Sequence, residues 1–134
     1  MHIEWTPDLS VGIGEIDSQH REFIKRADSF IESVAQGQGT EKLEETVNFF
    51  LDYAEKHFLT EEMFMVQFAY PETTPHKKLH NNFREYMDGL KGRIKNNRAS
   101  ITLEDVKEKV AEWFLNHIKN VDARLGAFLK KKMV

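Results

Sequence analysis

Five histidines and two acids recur along this chain at spacings that a helix would gather onto one side. His20 stands alone, His57 precedes Glu61 by four residues, His76 precedes His80 by four, and His117 is followed by Asp122. Residues four apart on an α-helix lie one above the other on one face. Imidazole is the commonest protein ligand for transition metals, and carboxylates can span two cations. The pattern therefore calls for a helical scaffold closed around a buried, histidine-rich two-metal centre. Alone, His57/Glu61 or His76/His80 would be an ordinary helix pair; in combination the bland reading loses its ground.

The segments between the ligands supply four helices. Residues 1–16 read as an extended N-terminal arm, anchored by Ile3, Trp5, Leu9, Val11, Ile13 and Ile16, with Pro7, Gly12 and Gly14 opposing a helix. Asp17 is the expected cap of a first helix over about 18–36, which Gly37 and Gly39 end. Thr40 is the next cap, for a helix over about 41–69 that buries Leu43, Val47, Phe50, Leu51, Ala54, His57, Phe58, Glu61 and Met65, until Tyr70-Pro71 breaks it. Thr74 with Pro75 opens a third helix over about 75–96, whose buried stripe is Leu79, Phe83, Met87, Leu90 and Ile94. Thr102 and Asp105 resemble a capping box and open a fourth over about 103–130, with Val106, Val110, Trp113, Phe114, His117 and Val121 inward. Lys130 to Lys132 read as a solvated helix end. Short connections force neighbouring helices antiparallel, so the expected fold is all-α: one domain over 1–134, an up-down-up-down four-helix bundle with an N-terminal arm.

In such a bundle the ligands reach one level. His20 opens the first helix. His57 lies about 16 residues into the second, a return of roughly 24 Å at 1.5 Å per residue. His76 and His80 occupy the first two turns of the third, and His117, about 14 residues into the fourth, has travelled roughly 21 Å. His117 and Asp122 are five apart, about 140° out of line in a regular helix, so either Asp122 reaches round or a π-type turn intervenes. If both acids and a solvent-derived oxygen bridge two six-coordinate ions, five imidazoles fill every remaining position but one. A single open position on a redox-capable pair suits a small molecule bound end-on.

Composition narrows the alternatives. A net charge of −3 with acids and bases interspersed argues against nucleic acid or an anionic membrane as partner. The absence of cysteine removes disulfides, iron–sulfur clusters and thiolate zinc sites. Glu4, Asp8, Glu15 and Asp17 interrupt the first twenty residues, so no signal peptide is read, and no apolar run approaches the roughly 20 residues of a membrane span. A cytoplasmic monomer is expected.

The ordered pattern resembles the hemerythrin family, and within it the single-domain bacterial hemerythrins (bacteriohemerythrins): a lone His, H-x-x-x-E, H-x-x-x-H and H-x-x-x-x-D. The likeness extends to Trp5 with Val11-Gly12-Ile13, to Ile16-Asp17-Ser18-Gln19-His20, to Tyr70-Pro71 before His76 and to Trp113 before His117, and so spans nearly the whole chain. It implies two iron ions in a non-haem di-iron centre with a solvent-derived oxo or hydroxo bridge, and reversible binding of O2, with small anions such as azide as further ligands. It also implies that His76, His80 and His117 hold the saturated iron, His20 and His57 the open one, and that Glu61 and Asp122 bridge.

Phe23, Phe58, Trp113, Phe114 and Ile118 fall within one turn of His20, His57 and His117 and are expected to line a dry ligand pocket, beyond their role as core. Phe114 stands where many family members carry leucine, and its larger ring would narrow that pocket. His2 is read as a free N-terminal residue, Glu62 as exposed, and Tyr53 and Tyr86 as packed with wet hydroxyls. Oxygen storage or delivery is the expected function. The alternatives are an O2, NO or redox sensor acting through a separate partner, since no output domain follows the fourth helix, and an oxidase or peroxidase, which the lack of a further acid–base group disfavours. Zinc suits an octahedral pair with an open site less well than iron.

Overall fold

A computed structural model of the chain describes residues 3–133; the reading of His2 lies outside them. Four helices form the body: α1, Gly14–Ala35; α2, Thr40–Gln67; α3, Thr73–Asn96; and α4, a continuous run over 103–132. They are the up-down-up-down bundle, with α1 packed against both α2 and α4. Among the described residues no helix is long and apolar enough to cross a membrane.

The core follows the apolar stripes. Phe23, Phe30, Phe50, Phe58 and Phe114 are fully buried with Ile16, Ile24, Ile31, Leu43, Met65, Met87 and Leu90. Fully burying one such side chain contributes about 1.5–3 kcal/mol, so helices with little sequence-local reason to persist are held by this shared interior.

Helix ends differ from expectation in instructive ways. Helix α1 begins at Gly14, ahead of Asp17, and Ile13 occupies its N-cap without a side-chain bond. Asp17 instead turns back to the arm: its carboxylate accepts from the Val11 N–H at 2.8 Å and from the Ser10 hydroxyl. A buried N–H needs an acceptor, and this one is met by Asp17. At the other end Gln38 N–H bonds Ser33 O and Gly37 N–H bonds Val34 O, with Gly37 at φ 68°, the paired bonds of a Schellman stop. The same stop closes α2, where Tyr70 N–H bonds Met65 O and Ala69 N–H bonds Val66 O, yet its left-handed position is held by Ala69 at φ 53°. Thr40 and Thr74 cap nothing by side chain; Gly39 and Glu72 take the cap positions, and Thr73 opens α3. Thr102 does cap α4, accepting from Asp105 N–H at 3.1 Å.

Helix α4 is wound unevenly. It carries two π-type turns, Lys107–Glu112 and His117–Asp122. Each inserts extra backbone and rotates the part of the helix beyond it, so the buried series becomes Val106, Val110, Ala111, Phe114, His117, Ile118, Asp122, Leu125 and Leu129. Val121, expected inward on a regular period, is only half-buried, and Trp113 likewise. The arm crosses α4 where Gly126 permits contact: a Cβ there would collide with the Val11 carbonyl oxygen.

Candidate metal centre

The seven expected ligands converge in the interior. His20 comes from the second turn of α1, His57 and Glu61 from adjacent turns of α2, His76 and His80 from the start of α3, and His117 and Asp122 from the two ends of a π turn in α4. All are at most 4% exposed. The π turn resolves the five-residue spacing: its wider helical turn carries Asp122 back to the face of His117.

Two sets of ligand atoms form, each with its members within 4.8 Å of one another: Glu61, His76, His80, His117 and Asp122; and His20, His57, Glu61 and Asp122. The acids belong to both. Glu61 turns Oε1 to His76 Nε2 (3.4 Å) and His80 Nε2 (3.1 Å). It turns Oε2 to His57 Nε2 (3.2 Å) and His20 Nε2 (3.5 Å). Asp122 divides in the same way, Oδ1 lying 3.1 Å from both His76 and His117 and Oδ2 3.0 Å from His20.

These close approaches do not satisfy the groups. The Nε2 atoms of all five histidines and all four carboxylate oxygens are buried without a hydrogen-bond partner. Buried polar atoms are normally paired, and two isolated buried carboxylates are costly. A cation answers both demands. Metal bonds of about 2.1 Å place opposite ligand atoms about 4.2 Å apart, which fits within the observed span. Imidazoles with carboxylates suit a first-row ion such as iron.

The electrostatics of the protein-only centre point the same way. Burial alone would lower His20 and His76, but Asp122 and Glu61 beside each prevail and raise both to about 9. His80 is raised too, against its burial, by Glu61 and Glu62. At His57 burial wins and the imidazole is lowered. Burial pushes Glu61 and Asp122 up, but the surrounding imidazoles overcome it and hold both well below the usual carboxylate range. The interior is built to take up positive charge.

The expected pocket residues separate into two groups. Phe23 and Phe114 stack on each other (centroids 3.6 Å apart) beside the smaller set, Phe114 edge-on to His20 at 5.8 Å and Phe23 edge-on to His57 at 5.8 Å. Phe58 lies flat on His80 at 4.1 Å and Trp113 flat on His117 at 4.7 Å, against the larger set. Ile118 is fully buried one residue past His117.

Sequence reasoning missed the groups behind the ligands. Glu62, expected in solvent, has a side chain only 12% exposed and accepts from His80 Nδ1 at 2.8 Å. Gln19 accepts from His57 Nδ1 at 2.9 Å. A metal-binding imidazole usually donates its other N–H to such a partner; adjacency to His20 and to Glu61 was the available signal. Tyr86 also departs from expectation, its hydroxyl being buried without a partner, while Tyr53 packs half-buried under Arg26.

Comparisons with known proteins bear on this geometry. The Hemerythrin HHE cation binding domain family matches residues 11–129. A bacteriohemerythrin of Pseudomonas paraeruginosa is 29% identical over 122 residues, 91% of this chain and 78% of its own. A myohemerythrin of Theromyzon tessulatum is 29% identical over 119 residues, 89% and 87% of the two chains. Among solved structures, a wild-type hemerythrin superposes with a TM-score of 0.86 at 24% identity, covering 95% of this chain and 97% of that one. A leucine-to-phenylalanine mutant superposes equally well, at 0.86 and 25% identity, covering 95% and 96%.

Proposed function

This chain belongs to the hemerythrin family, and on that premise we propose that it binds O2 reversibly at a non-haem di-iron centre, for oxygen storage or delivery. The observation that carries the reading is the division of the two carboxylates. Each of Glu61 and Asp122 turns one oxygen to the His76/His80/His117 set and the other to His20 or to both His20 and His57, as bridging ligands of an ion pair would.

In this reading His76, His80 and His117 would hold one iron, His20 and His57 the other, and Glu61 and Asp122 would be shared between them. With fewer protein ligands, the His20/His57 side would be the one with room for O2. When bound, the pair would supply the electrons that O2 binding requires. The chain's own part is to exclude water and to fix the imidazoles. Phe23 and Phe114 close the His20/His57 side with apolar surface, which shields a bound oxygen ligand from protons and solvent. The polar side chains behind His57 are Gln19 and Thr60, neither of them an acid or a base, which favours binding over turnover.

The test is reconstitution with ferrous iron without oxygen, followed by metal analysis and visible spectra. Two irons per chain are expected, with an absorption band that appears on adding O2, disappears when O2 is removed, and is replaced by a different band with azide after oxidation. A reproducible content near one iron, or a band that O2 removal never reverses, would refute the reading.

A further inference from the structure

The two halves of the centre are backed by different chemistry. Behind His57 stands a neutral amide. Gln19 Nε2 donates to Thr60 Oγ1 at 3.1 Å, and that hydroxyl gives its own proton to the Lys56 carbonyl at 3.0 Å. The amide orientation is thereby settled: Gln19 presents its carbonyl oxygen to His57 Nδ1. Behind His80 stands a charge. Glu62 Oε2 accepts from His80 Nδ1 at 2.8 Å and from Arg84 Nη1 at 3.2 Å. Arg84 then forks through Nε and Nη2 onto Glu55 at 2.9 and 3.0 Å. Exposure rises along this line, from 12% at the Glu62 side chain to 25% at Arg84 and 50% at Glu55.

We propose that Glu62 is a positioning residue that places negative charge behind His80, so that the His76/His80/His117 half holds its iron more tightly and at a lower reduction potential, with Arg84 as the opposing charge that moderates it. The inference rests on the di-iron reading above. A carboxylate on the far nitrogen fixes the imidazole tautomer and makes it a stronger donor. A neutral amide fixes the tautomer alone. Negative charge a few ångströms behind a ligand also favours the more highly charged metal state, and it does so strongly where water is excluded. Glu62 and Gln19 thus do the same geometric task with different charge, and the centre is electronically unequal by construction.

The experiment uses the whole chain loaded with ferrous iron: wild type, Glu62→Gln, Arg84→Gln and Gln19→Glu. Three quantities are read: iron content, rate of iron loss to a strong chelator, and midpoint potential by mediated titration. Glu62→Gln keeps an acceptor for His80 and removes the charge. It should load fully, lose iron about 10–100-fold faster, and titrate higher by about a tenfold shift in the redox equilibrium, ~59 mV for one electron. Arg84→Gln removes the countercharge and should move the potential the other way. Gln19→Glu adds a charge behind His57 and should also lower it. Full loading with wild-type release and potential in Glu62→Gln would overturn the role of Glu62, as would shifts of the same sign in Glu62→Gln and Arg84→Gln. If Glu62→Gln does not fold, Arg84→Gln and Gln19→Glu decide, and the absence of a downward shift in both overturns the inference. A wild type that takes up no iron removes the di-iron reading and this inference together.

Discussion

Phe23 and Phe114 lie face to face, their ring centroids 3.6 Å apart and their planes inclined by 24°, at the boundary of the His20/His57 half of the centre. Both are fully buried. They come from α1 and α4, so their stack joins two helices beside the half of the centre at which the proposed function puts O2.

Replacing Phe114 by leucine breaks that stack without touching a metal ligand. Phe114→Leu should retain both irons, exchange O2 and azide faster, and autoxidise faster as water gains entry. The imperfectly refilled space should lower stability by about 1–2 kcal/mol. His57→Ala is the contrast, because it removes an imidazole from the ligand set and should impair O2 binding itself. Stopped-flow release and iron content on the same preparations separate the two; lost iron in Phe114→Leu, or unchanged rates, would move the pocket elsewhere.

Metal removal should couple stability to pH. With the centre empty of metal, His20 and His76 are raised to about 9. A raised imidazole stabilises the fold fully below its unfolded value of about 6.5 and loses that contribution as pH climbs through about 9. Glu61 and Asp122 are depressed, so their contribution is present above about 4–4.5 and is lost on acidification. The lowered His57 opposes this below about 6.5, but the raised His20, His76 and His80 outnumber it, so the apo protein should melt higher at about pH 6.5 than toward pH 9.5. Iron binding displaces the imidazole protons, so the loaded protein should melt higher than the apo form and vary little from pH 6.5 to 9.5. Scanning calorimetry of both forms checks this; an apo Tm that rises across that range contradicts the sign.

The arm is fastened by the absence of a side chain. Because a Cβ at Gly126 would meet the Val11 carbonyl oxygen and stand 2.8 Å from Val11 Cβ, Gly126→Ala should push the arm off α4 and cost about 1–3 kcal/mol. The displacement should free the Val11 N–H from Asp17. Hydrogen exchange should accelerate at Val11 before it does in the bundle; uniform protection would show that the arm can shift without loss.

The stop of α2 holds an improvable residue. Ala69 sits at φ 53°, a left-handed conformation that costs an L-residue about 1–2 kcal/mol. Ala69→Gly relieves this, offset in part by the greater freedom of glycine in the unfolded chain, and should gain about 0.5–1 kcal/mol. A higher denaturation midpoint with an unchanged slope is the expected result; a lower one would mean that the Ala69 methyl group contributes packing.

Much of the centre was legible because the spacing of its side chains obeys local rules. Four-residue spacings put His57 with Glu61 and His76 with His80 on shared faces, and a constant rise per residue put the four helices' ligands at one depth. The His117–Asp122 spacing left a reaching side chain or a π-type turn open, and the structure has the turn. The spacing did not disclose the second π turn at Lys107–Glu112, which rotates α4 and leaves Val121 half out of the core. Asp17 looked like a helix cap because its type favours one, and the unmet N–H of Val11 claimed it instead.

The sequence by itself determined the fold class, which seven histidine and acidic side chains meet in the interior, and their common level, since these come from periodicity, chain length and the stopping of helices. Only the tertiary structure decided which oxygen of Glu61 or Asp122 faces which imidazole, that Phe23 meets Phe114, and that a neutral Gln19 backs His57 while a charged Glu62 backs His80. Those relations depend on how far each helix is turned about its own axis and on which rotamers the packed neighbours allow. No spacing along one helix carries that information, because it is set by the surfaces of the others.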